Sequence, residues 1–98
     1  MRHLEIISVR SIGDFVQQAY LYMNAFCREV NEPLLAGANV YINADVPSDL
    51  AIILSWEGVS LKEEKTDVGL SLAAALKSFG LVDHVLWGII ENNQTSDK

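Results

Sequence analysis

The chain has 98 residues, 7 basic against 13 acidic side chains and a formal charge of −6. That length sets one domain with a modest core. The acidity disfavours nucleic acid, whose affinity rests on neutralised phosphates, and an anionic membrane surface. One cysteine, Cys27, excludes an intrachain disulfide and a Cys-x-x-Cys site.

The first predicted element is a strand over His3–Val9. Ser11 with Asp14 three residues on has the form of a capping box. Phe15, Val16, Ala19, Tyr20, Met23, Phe26, Cys27 and Val30 then recur at helical spacing along one stripe. Asn31-Glu32-Pro33 ends that helix, because the residue before proline avoids the α region. A strand over Ala38–Ala44, the turn cluster Asp45–Asp49 and a strand over Leu50–Trp56 read as a hairpin. Gly58 breaks the run, and Lys62-Glu63-Glu64-Lys65 reads as a solvated loop or first turn, with Ser60 and Glu63 offering an earlier cap. The second helix is anchored near Thr66 or Asp67, buries Val68, Leu72, Ala75, Leu76 and Phe79, and has Gly80 at its C′ position. The last strand is His84–Ile90, and Asn92–Lys98 is a polar tail expected to be disordered. Residues 1–91 are thus one domain. No run reaches the roughly 18–20 apolar residues of a membrane span. Glu5 and Arg10 interrupt the first apolar stretch, so no signal peptide is expected, and a cytoplasmic location follows as the expectation.

The order β-α-β-β-α-β is the ferredoxin-like α+β pattern. It predicts an antiparallel sheet in the order 4-1-3-2 with both helices on one face. All four strand-like runs are apolar at consecutive positions, which means that both faces of the sheet are covered. Two helices cover one face, so a second copy of the chain is expected on the other. Alternate residues share a face. One set holds Leu4, Ile6, Ala38, Val40, Ile42, Ala44, Leu50, Ile52, Leu54, Trp56, Leu86, Gly88 and Ile90, and suits the helices. The other holds His3, Glu5, Ile7, Val9, Asn39, Tyr41, Asn43, Ala51, Ile53, Ser55, Glu57, Val85, Trp87, Ile89 and Glu91. This mixed face suits a ligand cavity or a wet dimer interface.

The strand order, the length and the second apolar face resemble the dimeric α+β-barrel superfamily, which includes antibiotic-biosynthesis-monooxygenase-like and stress-responsive barrel proteins. Ser55-Trp56-Glu57 is similar to a tryptophan-containing strand end of the monooxygenase-like members. The resemblance covers residues 3–91. It implies two protomers packed sheet to sheet, and small molecules bound between sheet and helices or inside the barrel. Those members often carry a histidine in the second helix, whereas Val68–Phe79 has none.

Candidate chemistry concentrates on the mixed face. His3, Glu5, Glu57 and Glu91 share one end of it, and crowded carboxylates beside an apolar wall suit acid–base work or form a solvated rim. His3 and Glu5 are the candidate proton acceptors. Tyr41 and Trp87 are the candidate ligand contacts, or equally interface anchors, with Asn39, Asn43 and Ser55 to orient a polar group. By strand parity His3 and His84 are expected at opposite ends and on opposite faces, which argues against a shared metal site within one protomer. His84 reads as a polar residue at a strand entrance. No cofactor motif is present. The expected protein is a homodimer, joined through the sheet face, that binds a small, largely apolar molecule. It does so with cofactor-independent oxidoreductase or monooxygenase-like turnover, or instead as a non-enzymatic, ligand-sensing module of the ACT type.

Overall fold

The computed structural model describes residues 2–58 and 64–88. Ser60, Lys62, Glu63, Ile89, Ile90, Glu91 and the polar tail lie outside the described residues. The elements follow in the order β1 (Arg2–Ser11), α1 (Phe15–Glu29), β2 (Leu35–Ile42), β3 (Asp49–Glu57), α2 (Asp67–Leu76) and β4 (Gly80–Gly88). One antiparallel sheet has the order β2-β3-β1-β4, the ferredoxin-like α+β arrangement. Both helices lie on one face. α1 packs on β2 and β3, and α2 on β1 and β4. No helix among the described residues is long and apolar enough to cross a membrane.

Burial alternates along β3, where Leu50, Ile52, Leu54 and Trp56 are buried beneath the helices. Ala19 and Met23 of α1 and Leu72, Ala73 and Leu76 of α2 complete the core. On β1 the buried residues are His3, Glu5, Ile7, Val9 and Ser11, so the face expected for this strand is reversed. The pairing enforces it: His3 lies opposite Trp56, Glu5 opposite Leu54 and Ile7 opposite Ile52. Leu4 and Ile6 therefore lie on the sheet's open face.

Three local expectations are also corrected. Ser11 is not a helix cap. Its N–H donates to the Ser48 carbonyl at 2.8 Å, and its residue is the last of β1, opposite Gly80. The chain turns instead at Gly13, whose φ of +59° favours glycine, and Asp14 precedes α1 without a side-chain cap. Gly80 is not a C′ residue but opens β4. A Cβ there would collide with the Arg10 carbonyl, so its missing side chain permits the close approach of two strands. β4 consequently starts four residues before His84. β2 runs from Leu35 to Ile42, with an irregularity between Leu35 and Gly37, rather than from Ala38 to Ala44. Thr66 does cap α2, its hydroxyl accepting from the Gly69 N–H at 2.9 Å.

Candidate functional site

A polar network lies on the helix side of the sheet, where the core is otherwise apolar. Glu5, on the central strand β1, has no exposed surface. Its carboxylate accepts four hydrogen bonds. Oε1 takes the Trp56 indole N–H at 2.9 Å and the Thr66 hydroxyl at 2.7 Å. Oε2 takes the Thr66 backbone N–H at 3.1 Å and lies 2.6 Å from His84 Nε2. Each partner comes from a different element: Trp56 from the end of β3, Thr66 from the N-terminus of α2, His84 from β4.

The chain is built to admit this carboxylate. The first turn of α2 has unsatisfied N–H groups and the positive end of the helix dipole, both of which favour an anion. Gly69, in that turn, has no side chain, and a Cβ would collide with the Glu5 carboxylate. A buried charge is tolerated only when paired and hydrogen-bonded; here every donor points at it. Because a carboxylate only accepts, His84 Nε2 carries the shared hydrogen. Nδ1 is then the ring nitrogen outside that bond.

The sequence-predicted residues fall into two groups. His3 and Glu5 lie on the helix side, not with Glu57, which is on the open face in an ion pair with Arg2 at 2.9 Å. Glu91 lies outside the described residues. His84 is not a strand-entrance residue on the opposite face from His3: both are on the helix side, and His84 joins Glu5. Its role, and those of Trp56 and Thr66, were not read from the sequence. One signal was available. A buried indole N–H needs an acceptor, and Glu5 is the acidic residue that the pairing brings beside Trp56.

Tyr41, Trp87, Asn39 and Ser55 are on the open face. The pairings set its rows as Gly37-Ser55-Leu4-Trp87, Asn39-Ile53-Ile6-Val85 and Tyr41-Ala51-Ser8-Asp83. Trp87 and Tyr41 thus stand on opposite edge strands, about 14 Å apart across the sheet at roughly 4.8 Å per strand, and two rows apart along it. They flank this face and do not converge. Asn43 closes its own hairpin, its Oδ1 accepting from the backbone N–H of Asp45 at 2.8 Å and of Val46 at 3.1 Å.

At the hairpin end of the open face, an open groove of about 540 Å³ is lined by Ser8, Arg10, Tyr41, Asp49, Ala51 and Asp83, among others. Arg10 forks onto Asp49 with bonds of 2.7 and 2.8 Å. Those bonds, and the guanidinium charge, hold the Asp49 carboxyl below its usual range. With the native pKa depressed, the pair's stabilisation is complete above the unfolded value of about 3.9 and is lost as pH falls through the native value. Followed by carbon-13 NMR, Asp49 is expected to titrate below the exposed carboxyls, and Arg10→Gln to return it to the ordinary range. An Asp49 titration indifferent to that substitution would rule out the fork.

No protein-family model and no curated protein matches the sequence. Solved structures do match its fold. The Rv0793 protein of Mycobacterium tuberculosis superposes with a TM-score of 0.69 at 13% identity, over 93% of this chain and 97% of that one. A protein from Nitrosomonas europaea, assigned as an antibiotic biosynthesis monooxygenase, gives 0.68 at 12% identity, over 91% and 90%. A variant of SnoaB, a cofactor-independent oxygenase from Streptomyces nogalater, gives 0.60 at 14% identity, over 92% and 94%. The chain has the fold of the antibiotic-biosynthesis-monooxygenase-like proteins, as the sequence resemblance implied.

Proposed function

We propose that the protein is a homodimeric barrel protein that binds a small, largely apolar molecule on the helix side of its sheet and oxygenates it without a cofactor. The observation that carries this reading is the buried Glu5–His84 pair, 2.6 Å apart. A carboxylate that fixes one ring nitrogen orients the other as a base. Such a base suffices for oxygenation when the substrate is a carbon acid. His84 removes a proton from an activated CH2 group, and the carbanion is oxidised by dioxygen. The group becomes C=O, and one water is released for each O2 consumed. The likeness to SnoaB, itself a cofactor-independent oxygenase, supports the same reaction class.

The open face supports the assembly. Leu4, Ile6, Ile53 and Val85 form its half-buried centre, and Leu81, Trp87 and Tyr41 are exposed at 71%, 62% and 50%. An apolar patch of that kind marks an interaction surface.

The test of the chemistry is oxygen uptake with anthrone, a readily ionised carbon acid, with the ketone product identified by mass spectrometry. The wild type is expected to accelerate uptake, and His84→Asn to lower kcat by about 10²–10⁴, the usual contribution of a positioned base. A His84→Asn protein that folds and keeps the wild-type rate would sink the assignment.

A further inference from the structure

Thr66 holds the Glu5 carboxylate by both of its oxygens. The hydroxyl donates to Oε1 at 2.7 Å and the backbone N–H to Oε2 at 3.1 Å. Trp56 and His84 reach one oxygen each. A carboxylate held by one oxygen still turns about χ3, because the last torsion of a glutamate is broad. Held by both, its plane is fixed.

Thr66 is itself tied to α2. Its hydroxyl accepts from the Gly69 N–H at 2.9 Å, and its carbonyl accepts from the Leu70 N–H at 2.9 Å. A hydroxyl carries a single hydrogen. With the Gly69 N–H on a lone pair, that hydrogen is directed at Glu5. The branched side chain is also stiff at χ1. A cap alone would not require this residue type. An aspartate accepts from Gly69 equally well, but it has no hydrogen to give to a second carboxylate.

We propose that Thr66 is a positioning residue for His84: it sets the plane of the Glu5 carboxylate and so aims Oε2 at the imidazole. The start of α2, which packs on β1 and β4, thereby fixes a carboxylate on β1 against a histidine on β4. The contact it aims is the short one, 2.6 Å between side chains that are 0% and 7% exposed. As a statement about catalysis this rests on the reading of His84 as the base, and it adds the group that holds that base in line.

The test compares Thr66→Val, Thr66→Gly and Thr66→Ser in the full chain, with two readouts. The first is the proton resonance of the His84 Nε2–H, assigned by its absence in His84→Asn. The second is kcat and KM for oxygen uptake with anthrone. In the wild type the resonance is expected far downfield, as a short charge-assisted bond requires. Thr66→Val is expected to move it upfield and to lower kcat about ten- to hundredfold, the scale of a misplaced catalytic group. KM should hold, because both sides of the hydroxyl are already engaged within the protein. Thr66→Gly removes the same hydroxyl with little loss of cap strength and is expected to behave as Thr66→Val does. Thr66→Ser keeps the hydroxyl and is expected to match the wild type in both readouts. A lower melting temperature with the resonance and kcat unmoved would make Thr66 a cap only and overturn the proposal. So would a Thr66→Ser protein that behaves as Thr66→Val, or a kcat that falls while the resonance stays. If the resonance follows the hydroxyl but the wild type does not oxidise anthrone, the positioning stands and the oxygenase reading fails.

Discussion

Glu5→Ala is expected to destabilise the protein by at least about 3 kcal/mol, because several buried donors lose their acceptor together and each unsatisfied group costs about 1–3 kcal/mol. The substitution strands four donors at once: the Trp56 indole, the Thr66 hydroxyl and N–H, and His84. It also removes the anion from the first turn of α2, the helix that packs on β1 and β4. Glu5→Gln separates geometry from charge. Its carboxamide oxygen can keep the Trp56 and Thr66 hydroxyl bonds, and its NH2 can donate to His84 if the ring changes tautomer. That NH2 then faces the Thr66 N–H, donor against donor. One unsatisfied buried group costs about 1–3 kcal/mol, so the expected order of stability is wild type, Gln, Ala. Urea unfolding followed by circular dichroism reads this directly. A loss below about 1 kcal/mol in both variants would remove the network from any account of stability.

That network shows where sequence reasoning reached and where it stopped. The hairpin of β2 and β3 was legible because Asp45–Asp49 carries turn residues between two apolar runs, and the start of α2 because Thr66 can cap it. The face of β1 was not. Leu4, Ile6, Ile7 and Val9 put apolar residues on both parities, so hydrophobicity does not choose between them. The polar character of His3 and Glu5 then favours the wrong face. The choice is made by pairing with β3, in which Leu54 and Ile52 stand opposite Glu5 and Ile7, and by the four donors that make burial of a carboxylate tolerable. Pairing is a property of two strands at once and has no signature within either. The same holds for Gly80, which reads locally as a helix stop but is needed because the Arg10 backbone passes close to it. Asn43 shows the converse: a residue that suits a ligand by type is consumed by its own turn.

The neighbouring residues Leu54 and Ile53 separate the fold from the assembly. Leu54 has no exposed surface and belongs to the core beneath the helices. Leu54→Ala is expected to cost about 2–5 kcal/mol, combining lost transfer energy with a cavity. The dissociation constant of the folded dimer should be unchanged, since Leu54 does not reach the open face. Ile53 points the other way, half-buried between Ile6 on β1 and Asn39 on β2. In a single chain Ile53→Glu places a charge at a site that water reaches, and the fold is expected to survive. In a dimer closed through this face, the same substitution buries two unpaired charges, each costing several kcal/mol. Association should then weaken by at least about a hundredfold. Sedimentation at micromolar concentration is expected to show a wild-type dimer, a Leu54→Ala dimer of lower unfolding midpoint and an Ile53→Glu monomer with native circular dichroism. A wild type that sediments as a monomer would leave the open face without its partner. A dimer that survives Ile53→Glu would place the contact on another surface, and with it any role for Trp87 and Tyr41 as anchors would be lost.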